Sequence, residues 1–483
     1  MPVRRVLTGF AALGATTLVT QAIGFVALAV AARRLGPGNL GSATLAINIT
    51  LYFAIPANFG LTLLGIRDIA REPERSREIV GEILVLRIVL AVAMAALLLG
   101  VTPLVAADAR TQDLLPLAAL LIPIDAFNGE WVLFGQQRPV GVAFARLAGQ
   151  TAYGALVVLL ITGGLHGARQ YVGYTVLSVL ITALLAQSLA WRRMGRPRPT
   201  VNRAALWRRT AASFPLGIAV IAVQVYVSIG AVMLGYLNDS AAVGQFSVAQ
   251  KLPLALIGVV QLWSASLYPQ AAKLMAERRD ELRAQVSLFT NLSVVMGLPL
   301  AAGAIVVGPD LIRLLFGPAY GPAGPAFAWI MGAIALSLLT VNVSSVLAAG
   351  GDERRYAVGR TIGAVASVLV NAAAIPLFGV EGAAATMLIA EALVLAYMFL
   401  RYLRVVGPVA VDATRAVRAA AATAIMAGAV LAVGDGVPVL LRIALGVAVY
   451  AVAGVAVGVL RRDELRRLLS ARRAPPPDGV PPA

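Results

Sequence analysis

The chain has 483 residues, 59% of them hydrophobic and only 13% charged, with a mean hydropathy of +0.84 and a formal net charge of +17. A soluble globular chain carries nearer one quarter charged residues and has no means of solvating so much apolar surface, so a soluble enzyme is excluded and a polytopic helical membrane protein remains. The positive charge sits in short connections between apolar runs, which argues against nucleic acid as a partner, and the absence of cysteine excludes disulfides and thiolate metal sites.

Runs long enough to cross a hydrocarbon core of roughly 30 Å as a helix recur along the whole chain. They predict fourteen spans, at 7–31, 40–65, 80–106, 114–135, 141–163, 170–191, 210–236, 241–270, 287–315, 326–349, 356–378, 382–402, 414–433 and 438–460. The first run follows MPVRR, exceeds the apolar region of a signal peptide and leads into further spans, so it is read as a transmembrane helix.

A tight Gly/Pro corner, ARRLGPGNLGSATLAIN from Ala32, joins the first two spans. A related stretch, GYLNDSAAVGQFSVAQK, joins the seventh and eighth. Gly41 is followed by Ala46, Asn48 and Arg67 at +5, +7 and +26, and Gly244 by Ala249, Lys251 and Gln270 at the same steps. A second echo places Arg146-x-x-Gly149 at the start of span 5 and Arg360-x-x-Gly363 at the start of span 11. Both echoes have an offset of six spans. An even offset keeps the halves in the same orientation, so they are parallel repeats about an axis along the membrane normal.

The expected organisation is an N-lobe (1–191, spans 1–6), a basic cytoplasmic linker (192–209), a C-lobe (210–402, spans 7–12), spans 13–14 (403–460) and a basic, then Pro-rich, tail (461–483). If the N-terminus is cytoplasmic, the inner connections and adjoining helix ends hold 33 of the 40 Lys and Arg, counting Arg87 with the link after span 2. That is the split the positive-inside rule predicts, and it places both termini in the cytoplasm. The mixed-charge stretch RDIAREPERSREIVGE reads as a solvated connector.

No Gly-rich phosphate loop, aspartate cluster or nucleophile–base pair is evident, and the single histidine, His166, lies in a Gly-rich connection and receives no role. Transport therefore fits better than catalysis. The candidates are polar groups at membrane depth, which are costly there. Lys251 lies mid-span, either binding an anion or paired with a carboxylate for stability. Asp125, Glu130 and Glu391 are candidate proton or sodium sites, or partners of arginines. Arg67, Arg146 and Arg360 either form a cationic mouth or snorkel to headgroups. Gln21, Asn48, Gln224, Tyr226, Gln261, Asn342 and Asn371 either line a hydrated cavity or make interhelical hydrogen bonds.

The stretches RRLGPGNLGSATLAIN with NFGLTLLGIRDIAR, the region from FPLGIAVIAVQVYVSIGAVMLGYLND to SLYPQAAKL, and the run 347–391 resemble bacterial polysaccharide flippases. These belong to the multidrug/oligosaccharidyl-lipid/polysaccharide exporter superfamily, and the O-antigen and exopolysaccharide repeat-unit flippases look most similar. The resemblance implies two six-helix lobes in a V around a central cavity. It implies that an undecaprenyl-pyrophosphate-linked oligosaccharide passes from the inner to the outer leaflet of a bacterial cytoplasmic membrane, by alternating access and without ATP. Proton or sodium coupling, the membrane potential, and a polysaccharide polymerase and glycosyltransferases as partners are further implications. Cations in helix 1 mark the lipid II flippases, and an acidic residue there marks many multidrug members. This helix offers Gln21, Ala27 and Leu28 instead.

Overall fold

The computed structural model describes residues 3–162, 167–198, 203–350 and 353–459, and among these every regular element is helical. The helices are α1 (Val3–Asn58), α2 (Leu61–Arg71), α3 (Ser76–Val105), α4 (Ala109–Ala118), α5 (Leu121–Phe127), α6 (Glu130–Gly135), α7 (Pro139–Thr162), α8 (Ala168–Met194), α9 (Arg203–Leu237), α10 (Ser240–Glu277), α11 (Arg279–Phe316), α12 (Ala323–Ala349), α13 (Glu353–Val405), α14 (Ala413–Val433) and α15 (Val439–Ala456). Eleven helical stretches among the described residues are long and apolar enough to cross a membrane. Two of them, Thr16–Asn58 and Arg355–Val405, run 43 and 51 residues and are each broken once by a glycine. This differs from the fourteen separate spans read from sequence. Each of these two joins a pair of expected spans without a loop, and α10, the expected span 8, is not among the eleven.

The first break is Gly36, with φ 72°, followed by Pro37. A left-handed glycine ends one helix cheaply, and a proline, with no N–H to leave unsatisfied, starts the next. Beyond the break, Leu45 packs against Gly235, and the Tyr52 hydroxyl accepts from Ser228 at 3.2 Å, so this arm runs antiparallel to α9. Before the break, Gly24 lies beside Lys251 of α10, while Pro37 meets Gly244. Phe246 against Gly230 shows α9 and α10 forming a hairpin, so the two arms of α1 run in opposite directions. In α13 the break is Gly379, φ 53°. Gly359 then meets Met398 and Gly363 meets Val394, the register of a second antiparallel hairpin.

Where the α1 and α9–α10 corners meet, their contacts are reciprocal. A Cβ on Gly41 would stand 1.6 Å from the Ser240 carbonyl oxygen, and one on Gly244 would stand 2.1 Å from that of Pro37. Gly41 and Gly244, and likewise Pro37 and Ser240, share one offset of 203 positions. Residue i touching j′ while j touches i′ is the signature of a local two-fold. Only glycine permits so close a backbone crossing.

The apolar core is shared at one end and divided at the other. Near the corners a single cluster holds Leu40, Ala46 and Leu115 together with Leu234, Phe246 and Phe316. At the opposite end, where the basic linker leaves α8, there are two separate clusters. One contains Leu61, Ile83, Trp131 and Ala190, the other Leu282, Val346, Val394 and Tyr402. The apolar core of the two halves is thus shared at the corner end and, among the described residues, divided toward the linker end, where α9 still meets the first half through Phe214 on Phe59. α14 and α15 pack chiefly on α11, through Val295 with Ala419 and Val307 with Val430.

Two expectations are corrected locally. Span 2 does not run to 65, because α1 stops at Asn58, whose Oδ1 accepts from Thr62 N and Oγ1, and Phe59 turns to meet Phe214 at 5.4 Å. Span 4 is not one helix but α4, α5 and α6, and at the end of α5 the Asp125 carbonyl accepts from both Asn128 N and the Arg87 side chain. His166 and the tail 461–483 lie outside the described residues, as does the side chain of Gln261.

Candidate functional site at the seam between the halves

Arg87, Arg146, Arg360 and Lys251 lie along the helices of the two halves, and the three arginines have carboxylate partners. Arg87 is 3% exposed in α3, and its Nη2 donates to the Asp125 carbonyl at 2.7 Å and to the Asp125 carboxylate at 3.2 Å. The sequence reading placed Arg87 in a cytoplasmic connection, but it is buried some eleven residues inside α3. Arg146 of α7 grips Glu130 bidentately, at 3.0 and 2.8 Å. Arg360 of α13 lies 3.9 Å from Glu391 on the other arm of the same helix, which also accepts from the Tyr226 hydroxyl. The Arg360 guanidinium lies over the rings of Tyr226 and Tyr356, at 5.8 and 5.5 Å. The three acidic candidates are therefore partners of arginines.

Lys251 is the exception. It is half-buried in α10, and among the described residues no carboxylate lies within ion-pair distance of its Nζ. It reaches across the seam to the first arm of α1. A Cβ on Gly24 would stand 3.7 Å from Lys251 Nζ and 2.8 Å from Gln150 Nε2. Glycine at position 24 thus leaves room for a cation from one half and an amide from the other to converge. Mid-membrane lysine costs about 2.5–3.5 kcal/mol on insertion scales, and here no neighbouring charge offsets it.

The remaining predicted residues divide into groups. Gln224 donates to Ser228 at 2.8 Å and Ser228 to Tyr52 at 3.2 Å, a polar chain crossing the seam. Asn48, half-buried, occupies the position in α1 equivalent to Lys251 in α10. Asn371 lies inside the second half beside Gly230, its Oδ1 buried without a partner, and Glu391 Oε1 is likewise buried and unpartnered. Asn342 is buried and donates to Ser293 at 3.0 Å, an interhelical hydrogen bond. Gln21 is exposed on the first arm of α1. Arg67 is half-exposed at the linker end and pairs with the adjacent Asp68 at 3.1 Å.

Sequence reasoning missed Gln150, Tyr52, Ser228, Arg87 and Arg209. Arg87 carried a signal, as a lone charge within EILVLRIVLAVAM. Gln150, Tyr52 and Ser228 had none, because a neutral polar residue in a span acquires meaning only from what faces it, and Arg209 was one of several arginines in the basic linker. Arg209 binds Asp68 at 2.9 Å and also Glu82, tying α9 to α2 and α3 at the linker end. The mixed-charge stretch is accordingly not just a solvated connector. At the corner end the closure is polar as well: Tyr236 donates to the Val105 carbonyl and Ser240 to Asp108. Arg33 donates to the carbonyls of Leu314 and Leu315. Two open pockets among the described residues, of about 420 and 520 Å³, lie elsewhere, and neither is lined by Lys251.

A helical bundle of two related halves, with an apolar core shared at one end and divided at the other, is an exporter-type membrane fold. It is shared with a lipid II flippase in an inward closed conformation, with a TM-score of 0.77 at 12% identity over 95% of this chain and 99% of that one. An inward-facing multidrug transporter of the same superfamily gives a TM-score of 0.65 at 16% identity over 81% and 98%. A sequence profile described as "Polysaccharide biosynthesis protein" matches residues 6–275, more than half of the chain, and the chain belongs to that family. It is similar to the probable flippase AglR of Haloferax volcanii, 23% identical over 173 residues, which is 35% of this chain and 36% of that protein. It is also similar to a putative O-antigen transporter of Shigella dysenteriae, 21% identical over 187 residues, 38% and 46% of the two chains. The matches thus span less than half the length of these curated relatives.

Proposed function

We propose that the protein flips an undecaprenyl-pyrophosphate-linked oligosaccharide from the inner to the outer leaflet of a bacterial cytoplasmic membrane, with both termini cytoplasmic, and that it catalyses no covalent step. The supporting observation is Lys251, a half-buried cation at the seam with no carboxylate partner among the described residues. A pyrophosphate carries about two negative charges and cannot cross hydrocarbon unpaired, so its path must supply a cation and water. Lys251 neutralises it as a point charge, while Gln150, Gln224, Tyr52 and Asn48 offer hydrogen bonds to sugar hydroxyls. Gln21 extends this polar lining, and the lipid tail stays in the bilayer.

The divided core suits entry from the linker end, where Arg67, Arg146 and Arg360, each beside a carboxylate, are the candidate residues of the mouth. Release requires the corner-end contacts to open and the linker end to close. An inside-negative potential favours outward movement of an anion by roughly 2.3 kcal/mol per charge per 100 mV. Glu391, with its buried unpartnered Oε1 beside Asn371 and Tyr226 in the second half, is the candidate for proton or sodium coupling. Asp125 and Glu130 serve as arginine partners.

A drug–cation antiporter requires an unpaired carboxylate facing the seam. Asp125, Glu130 and Glu391 all face arginines, which favours the flippase. Lys251→Ala is expected to abolish surface glycan export in cells while the variant inserts at the wild-type level. Full export by that variant overturns the assignment. Export that is lost in Lys251→Ala and recovered in Lys251→Arg confirms that charge is the requirement.

A further inference from the structure

A cavity of about 420 Å³ opens in the first half at the linker end, far from Lys251. It lies between α2, the turn Pro73–Arg75, the start of α3, the end of α6 and the end of α8. Its polar lining is Arg138, Arg193, Ser76, Gln136 and Gln137, above Ile69. Among the described residues neither guanidinium has an ion-pair or hydrogen-bond partner. No carboxylate lines the cavity, and Glu72 and Glu78 beside it are held by Arg75, at 2.7 and 3.3 Å.

Three further features point to a ligand here. First, the thirty-residue helix α3 starts at Ser76 with no side-chain cap, so its dipole directs positive potential at the cavity. Second, α6 ends with Arg138 N donating to the Leu133 carbonyl at 2.8 Å, a closure that puts Gln137 at φ 57°. That left-handed position ordinarily belongs to glycine. A strained glutamine whose side chain lines a cavity indicates that the side chain is used. Third, Gln136 Oε1 is buried and accepts from nothing, so it calls for a donor. The linker root is held nearby, with Arg77 donating to the Arg196 carbonyl and Arg198 N to the Arg77 carbonyl, each at 3.1 Å.

We infer that this cavity binds a phosphate-bearing anion with a neighbouring hydroxyl, the phosphate taken by Arg138, Arg193 and the α3 N-terminus and the hydroxyl donating to Gln136. A glycerophosphate headgroup of a membrane lipid and soluble glycerol phosphate share this chemistry. The site is separate from the transport path and does not rest on the proposed function.

The test uses the full-length protein in detergent, with native mass spectrometry reading retained ligand. The probes are dioctanoyl phosphatidylglycerol, sn-glycerol 3-phosphate and, as a zwitterionic control, dioctanoyl phosphatidylcholine. Wild type is expected to retain phosphatidylglycerol or glycerol phosphate and not phosphatidylcholine. The R138Q/R193Q variant loses that retention at least tenfold, while the charge-matched K273Q/R404Q variant keeps it. Retention of phosphatidylglycerol alone assigns the source to the membrane, and competition by glycerol phosphate assigns it to the cytosol. Equal retention by both double variants overturns the site. Should R138Q/R193Q not be recovered folded, phenylglyoxal labelling of wild type decides. Protection of Arg138 and Arg193 by the retained probe supports the site, and undiminished labelling removes it.

Discussion

Asn48 and Lys251 stand at equivalent positions in two related halves, seven residues beyond glycines that touch across the local two-fold. The frameworks match closely. Both corners reverse the chain within a few residues, one with a left-handed glycine and a proline, the other with Asp239 capping α10 through Ala242 N at 2.7 Å. Both Arg-x-x-Gly motifs pair an arginine with a glutamate and let a helix pack against the glycine: Gly149 against Ser178 and Thr182, Gly363 against Val394 and Tyr226. The charge placement does not match. In the first half Arg87 and Arg146 each face a carboxylate, and in the second half Lys251 stands at the seam without one among the described residues. Symmetry in the frame and asymmetry in the charge allow the halves to rock against each other while a single point on the seam recognises an anion.

The frame breaks most completely at the crossing. Gly41→Ala places a methyl 1.6 Å from a backbone carbonyl that has nowhere to move, so no monodisperse protein is expected on size exclusion. Gly244→Ala behaves the same way, and Gly14→Ala, with open space around it, behaves as wild type. The asymmetry is broken by Lys251→Gln, which forfeits a mid-membrane ion pair with substrate worth about 3 kcal/mol, or roughly a hundredfold in flipping by proteoliposomes. Exchanging the pair, Asn48→Lys with Lys251→Asn, sharpens the comparison. Gln150 faces position 251, so flipping stays lost, and recovery would show the halves to be interchangeable.

Smaller effects separate the acidic residues. Glu391 is 4% exposed, so Glu391→Gln strands Arg360 at a cost of about 3 kcal/mol. The Asp125 side chain is 47% exposed, and Arg87 keeps its bond to the Asp125 carbonyl, so Asp125→Asn costs about 1 kcal/mol. Thermal unfolding in detergent reads both, and equal losses would remove the distinction. Gln137→Gly relieves the left-handed strain and raises stability by about 1 kcal/mol. The smallest effect is in pH. Burial pushes the Asp108 carboxyl up, but hydrogen bonds from Ser240 and Thr111 and the nearby Arg110 more than offset this and hold it below the ordinary carboxylate range. A depressed carboxylate stabilises the fold above its unfolded pKa and loses that contribution as pH falls through its folded one. Wild type therefore loses slightly more melting temperature than Asp108→Asn on acidification below about pH 4.

Much of the fold was legible because oil imposes it. Backbone groups in hydrocarbon must be satisfied within each segment, so long apolar runs become helices, and the glycines at 36, 41 and 244 marked where the chain turns and crosses. The doubling was readable because two corners with the same spacing need the same backbone. Interruptions such as those at Phe59 and Asn128 were not readable, because hydrogen bonds that Thr62 donates to Asn58 and Arg87 donates to Asp125 decide them against an apolar background. For the candidate site, the chain alone determined that a few charges lie at membrane depth and that Lys251 is one of them. Only tertiary structure decided which of those charges have partners. A carboxylate satisfies an arginine across a seam or a hairpin by coming within about 4 Å. That closeness arises from contacts such as Gly363 on Val394, between residues far apart in the chain.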